Sequence, residues 1–262
     1  MGLGIASRIK KIIRDRRHRR KALEKYNSDK QKYETMQKEA GGIPVTKEFP
    51  QLYDYDQAAG SVDGHYFQQD IYVAELISES GVKKHFDIGS RLDGFISHLL
   101  ANSHIEEVVM LDIRPFPYSV RKLSFTQADA TSLSNIEDNS IESISSLHAI
   151  EHFGLGRYGD PVDPTACFKA MKAIQRVAAK DGRVYISFPV RMKDECYFNA
   201  HRLFCPNTVA EQFDECDLEK LAFVKEGLKL ECYDKDEAKR IVLNREYELG
   251  EYDCGIFVFR KH

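Results

Sequence analysis

Between residues 82 and 260 the apolar positions alternate between short continuous runs and stripes at helical spacing, the pattern of an α/β chain built on a largely parallel sheet. Lys84 to Ile88 is a short strand that breaks at Gly89. Phe95, Ile96, Leu99 and Leu100 then recur at helical spacing, so a helix is expected after the turn. Val108 to Leu111 is a run suited to a strand buried on both faces. Phe125 to Ala128 is a weaker third strand, Ile141 to Leu147 a fourth, and Arg183 to Phe188 a fifth, expected to stop at Pro189. Between the last two, Cys167, Ala170, Met171, Ile174, Val177 and Ala178 form one helical stripe, with Asp163 as a cap and Pro164 in the first turn. Phe67, Ile71, Ala74, Leu76 and Ile77 predict a helix from Tyr66 to Ser80 that packs ahead of the first strand and is closed by Gly81. Pro206, Thr208 and Glu211 suggest a capping box and a further helix. Leu221 to Val224 and Ile256 to Phe259 read as late strands, the last antiparallel near the sheet edge.

Charge divides the chain differently. Residues 1–40 carry thirteen Lys/Arg against five Asp/Glu, so the overall net charge of −3 leaves −11 on the remaining 222 residues. In residues 3–22, Leu3, Ile5, Ile9, Ile12 and Ile13 approach one helical face and Lys/Arg fill the rest. Such a basic helix suits either an anionic membrane surface or plain solvation. Nucleic acid is disfavoured, because the acidic remainder does not continue the positive track. Three regions are expected: a basic helical extension at 1–41, a linker and helical cap at 42–81 that includes Tyr53, Asp54, Tyr55, Asp56 and Gly60, and the main domain at 82–262. Six cysteines without a C-x-x-C pair read as reduced thiols. With no spanning run and no signal-peptide pattern, the expected location is cytoplasmic, with the basic helix at the membrane's inner face.

Three aspartates stand at successive strand ends: Asp87, Asp112 and Asp129. A carboxylate after the second strand, 25 residues beyond Asp87, suits the two hydroxyls of a ribose. Asp129, next to Ala130, suits an adenine amine, and Ile113 the ring beside it. Asp87 with the Gly89, Ser90, Arg91 turn would face the amino-acid end of a methionine-like ligand. A dinucleotide fits less well. The G-x-G-x-x-G loop is absent, and carboxylates repel pyrophosphate but attract the ammonium and sulfonium of S-adenosylmethionine (SAM). The plain alternative is that the aspartates are ordinary strand-end caps.

The order Asp87-x-Gly89, Asp112, Asp129-Ala130 and then His148-Ala149-Ile150-Glu151-His152 resembles the class I SAM-dependent methyltransferase superfamily. More closely, Gly154-Leu155-Gly156-Arg157-Tyr158-Gly159-Asp160 and Phe198-Asn199-Ala200-His201-Arg202 resemble a subfamily of that fold catalogued as a domain of unknown function; the resemblance covers about Tyr66 to Phe213. It implies a Rossmann-like, mostly parallel seven-stranded sheet with an antiparallel strand, SAM as cofactor, and a role in polysaccharide or other surface biosynthesis. On a helical turn His148 and His152 share a face and Glu151 can orient His148, which makes the three candidates for removing an acceptor proton; bracing the loop, or contact with the cofactor at His148, is the other reading. His201 is a second candidate base. Arg157, Asp160, Asn199 and Arg202 are candidates for holding the acceptor, or for structural pairing. A metal on His148, His152, Asp160 and His201 is chemically possible, but no spacing demands one, so none is assigned. The expected activity is methyl transfer to an oxygen of a small-molecule or glycan acceptor. The rivals are a non-catalytic SAM-fold binding or scaffold module and a nucleotide-dependent oxidoreductase.

Overall fold

The computed structural model describes residues 3–40, 42–52, 62 and 64–262, with side chains from Arg16 onward. Two compact units divide the chain at residue 62.

The first unit is one helix, α1 (Leu3–Ala40), followed by an extended stretch. Ion pairs one turn apart, Arg20–Glu24 and Lys25–Asp29, run along it. The extended stretch returns along the last turns: Glu48 takes Lys30 and Tyr26, and Tyr33 donates to the carbonyl of Ile43. The isoleucine face of residues 3–13 and the Tyr53–Gly60 linker lie outside the described side chains and residues. Among the described residues no helix is long and apolar enough to cross a membrane.

The second unit is a Rossmann-like sheet. Its strands are β1 (Lys84–Ile88), β2 (Glu107–Asp112), β3 (Leu123–Gln127), β4 (Ile141–Leu147), β5 (Ala178–Val190), then β8 (Cys216–Val224), β9 (Leu230–Asp234) and β10 (Asp253–Lys261); β6 (Glu195–Tyr197) and β7 (His201–Leu203) form a separate hairpin. The order is β3-β2-β1-β4-β5-β10-β8-β9, so the sheet has eight strands where seven were expected. β1 to β5 are parallel, and β10, β8 and β9 extend the sheet antiparallel. β10 is not at the edge: it pairs along its length with both β5 and β8. Nor does β5 stop at Pro189. The Pro189 carbonyl accepts from Phe204 N, so the ring nitrogen also turns away from β10 and no ladder bond is lost there.

Strand residues alternate between two apolar layers. Val109, Leu111, Phe257 and Phe259 pack with α4 (Ala166–Val177) and α6 (Lys235–Asn244); Val108, Ile256 and Val258 pack with α2 (Tyr66–Glu79) and α3 (Ser97–Ala101). The whole predicted α4 stripe is buried. α4 starts later than its cap signal: Asp163 Oδ1 accepts from Thr165, ordering the turn that enters the helix. α5 (Pro206–Gln212) starts earlier than its capping box, with Pro206 in its first turn and Thr208 inside it, donating to Asp194. The helix expected after Gly89 begins as a wide turn at Leu92–Ile96, because Gly94 is non-helical. A side chain at Gly94 would put Cβ 2.4 Å from the Asp70 carboxylate of α2, so the backbone there must stay bare.

Candidate functional site

A cavity of about 270 Å³ opens at the carboxyl ends of β1 to β4, the ligand position of an open α/β sheet. Each strand end contributes a differently prepared group.

At β1, Asp87 is completely buried. Its oxygens accept from Ser90 N at 3.0 Å, Ser90 Oγ at 2.7 Å and Ser145 Oγ at 2.6 Å. Burial nevertheless pushes its pKa up to about 6, with those bonds opposing. Ser145 has one proton to give, so it receives Nε2–H of His85 at 2.8 Å, and His85 Nδ1 accepts from Ser143 at 2.8 Å. Desolvation lowers His85 to about 3 and keeps it neutral. Asp87 thus pins the turn from beneath and does not line the cavity. Gly89, at φ +71°, does line it; a Cβ there would stand 3.1 Å from that of Ala149. Ser90 faces Asp87. Arg91 turns outward to a bidentate contact with Asp93 and lies over the Tyr66 ring.

At β2, Asp112 faces the cavity with Ile113 beside it. Burial raises its pKa, but hydrogen bonds from Arg114 overcome that and hold it below the usual carboxylate range. Arg114 binds both oxygens, Nε at 3.0 Å and Nη2 at 2.7 Å, and stacks over the Tyr158 ring. Beyond β3, Asp129 and Ala130 line the cavity, and Asp129 Oδ1 accepts from Thr131 N and Oγ1.

At β4 the chain turns sharply: His148 has φ +50° and the segment to His152 coils tightly. His148 lies at the cavity, but its ring is engaged behind it, with Nδ1 2.9 Å from Glu151 Oε1 and Nε2 3.4 Å from Cys254 Sγ. Burial lowers His148 to about 3 and raises Glu151 to about 7, so their contact is a hydrogen bond from a neutral imidazole. His152 lines the cavity. Its Nδ1 is 2.7 Å from the carbonyl of Ala200, which only accepts, so Nδ1 carries the hydrogen and Nε2 keeps its lone pair. Desolvation lowers its pKa and favours that neutral form.

The remaining candidates separate into two groups. Asp160 lines the cavity while accepting from Gly154 N. Arg157 donates to the Ala200 carbonyl, Asn199 Nδ2 reaches that of Leu155, and His201 lies 6.4 Å from the His152 ring. Arg202 is buried and donates to the carbonyls of Glu151, Phe153 and Pro164; it braces the His152 loop and is not among the residues that line the cavity. Sequence reading missed Arg114 and Tyr158 as cavity residues; an arginine two positions after a strand-end aspartate was the available signal.

Residues 107–223 match the family model described as Caenorhabditis protein of unknown function, DUF268. No curated protein matches the chain in sequence. Among solved structures, the chain is similar to the 1,6-didemethyltoxoflavin-N1-methyltransferase of Burkholderia thailandensis, which holds 1,6-didemethyltoxoflavin and S-adenosylhomocysteine; identity is 14%, TM-score 0.51, over 75% of this chain and 79% of that one. It is also similar to the 4+2 cyclase SpnF, at 12% identity and TM-score 0.53, over 88% of this chain and 94% of that one. The fold is therefore that of the class I SAM-dependent methyltransferases.

Proposed function

We propose that the protein is a SAM-dependent methyltransferase acting on a hydroxyl of a small-molecule or glycan acceptor. The supporting observation is the convergence on one cavity of Asp112, Asp129 and the bare Gly89 turn with His152, whose Nε2 keeps its lone pair 3.8 Å from Glu151 Oε1. The first three suit an adenosine-bearing cation, and the shared fold accommodates S-adenosylhomocysteine in the toxoflavin enzyme. Because that fold also occurs in a cyclase, it does not by itself choose the reaction. His152 favours transfer to oxygen, since an alcohol must shed its proton as it attacks the methyl group, and a neutral imidazole at the cavity wall accepts it.

In this reading SAM supplies the methyl group. Asp112, released from Arg114, would hold the ribose, Asp129 and Ala130 would meet the adenine, and the Asp87-pinned turn would meet the amino-acid end. His152 takes the acceptor proton at Nε2 while Ala200 fixes its tautomer, and Arg202 and Glu151 hold the loop that presents it. We assign the acceptor to polysaccharide or other surface biosynthesis, and place the basic segment 3–22 against an anionic membrane surface, the enzyme working on its cytoplasmic side.

Calorimetry of the full chain with SAM, S-adenosylhomocysteine and NAD tests the cofactor. Micromolar binding of the first two supports the reading. Binding of NAD alone, or of none, overturns it. Flotation with anionic vesicles, comparing the full chain with residues 42–262, tests the membrane contact; equal flotation removes it.

A further inference from the structure

Behind the cavity wall, His65, His148 and Cys254 converge from three distant points: the residue before α2, the exit of β4 and the start of β10. Each presents one ligand atom, and these atoms all lie within 4.8 Å of one another. All three residues are buried, Cys254 completely. The imidazoles stack with centroids 4.3 Å apart. His148 Nε2 stands 3.4 Å from Cys254 Sγ, close to the edge of roughly 3.5 Å that a nitrogen and a thiolate span when both bind one tetrahedral zinc ion.

Two further observations single out this cluster. Among the described residues, the buried side-chain atoms without a hydrogen-bond partner are His65 Nε2, Glu151 Oε2, His201 Nε2 and, elsewhere, the Tyr185 hydroxyl. One of them, His65 Nε2, belongs to the cluster itself and another, Glu151 Oε2, to the carboxylate that holds His148, and burying polar atoms unpaired is costly unless something binds them. Glu151 also takes His148 Nδ1–H, which directs the Nε2 lone pair at Cys254, the way a carboxylate behind a histidine orients it toward a metal.

We propose that His65, His148 and Cys254 bind one late first-row divalent metal ion of the Zn²⁺ class. Two imidazoles and a thiolate select such an ion over Mg²⁺ or Ca²⁺, and three protein ligands leave a fourth position open. Without an ion Cys254 carries one thiol hydrogen, within reach of both Gln69 Oε1 at 3.3 Å and His148 Nε2 at 3.4 Å. Uptake therefore breaks the S–H bond, forms the metal–sulfur bond and releases one proton to solvent.

The test uses the full chain, stripped with a chelator and titrated with Co²⁺, and needs no transfer assay. The expected result is one equivalent bound, with the intense visible bands of a tetrahedral ion and a near-ultraviolet thiolate band, all displaced by Zn²⁺. Cys254→Ser is expected to lose the thiolate band. Should that variant not fold, His65→Gln is expected to weaken Zn²⁺ binding more than tenfold. Failure of the full chain to bind Co²⁺, or a spectrum and affinity unchanged in a folded Cys254→Ser or His65→Gln variant, overturns the proposal.

Discussion

The exits of β1 and β4 lie side by side in the sheet, yet they are built on opposite rules. At β1, every buried polar atom has a partner: Asp87, Ser90, Ser145, His85 and Ser143 form one chain of hydrogen bonds. At β4, His148 sits in a left-handed conformation, Glu151 keeps one oxygen unpaired, and His152, which lines the cavity, keeps a lone pair on Nε2, 3.8 Å from Glu151 Oε1. A satisfied network fixes a backbone and resists change, whereas unsatisfied atoms on a braced loop are what a reaction or an ion can use. The first exit is frame, and the second is where we propose the reactivity lies.

That division is most directly broken at His152. Removing a general base costs about 10²- to 10⁴-fold in rate, so His152→Ala is expected to lose turnover on that scale in single-turnover assays with labelled SAM, while calorimetric SAM affinity stays within about twofold. Retained turnover would move reactivity away from the β4 exit. Asp112→Ala comes next. Charge-assisted hydrogen bonds contribute about 1.5–3 kcal/mol, so S-adenosylhomocysteine affinity should fall about 10- to 100-fold by calorimetry. Arg202→Met tests the brace: it strands three buried carbonyls and is expected to cost about 2 kcal/mol in urea unfolding.

A smaller effect appears in the pH dependence of stability. In the chelator-stripped protein His65, His85 and His148 are lowered from 6.5 to about 3 by burial, so between those values the folded state binds fewer protons than the unfolded one and stability rises with pH. Asp87, raised to about 6, and Glu151, raised to about 7, act in the opposite sense above their ordinary values. His152 is also lowered and Asp70 also raised, and four groups against three predict a shallow rise up to about pH 6 and a steep loss below about pH 4. His85→Gln should flatten the shallow limb in melting curves. The smallest effect is Arg114→Ala. An exposed ion pair is worth at most about 1 kcal/mol, so freeing Asp112 should tighten SAM binding by no more than about fivefold.

Much of this architecture was legible because its signals are local. The β2 run, the α4 stripe and the strand-end aspartates each declare themselves within a dozen residues, and strand ends converge in any parallel sheet. What was hidden depends on distant partners. Nothing near Ile256 says that its strand lies inside the sheet, since that follows from pairing with both β5 and β8. Pro189 reads as a stop until Phe204 turns its carbonyl away from the ladder. That Arg202 donates to the loop carbonyls of Glu151, Phe153 and Pro164 likewise depends on partners distant in sequence. Cys254 meets His148 across 106 residues, a separation no motif expresses.

The inner position of β10 also matters for vectorial synthesis. Until residues 253–261 leave the ribosome, β5 presents a long unpaired edge and β8 with β9 has no sheet to join. A nascent chain is then a half-sheet with an open, apolar flank, a template for intermolecular pairing, so chaperone dependence and expression yield should hinge on how soon β10 closes the sheet.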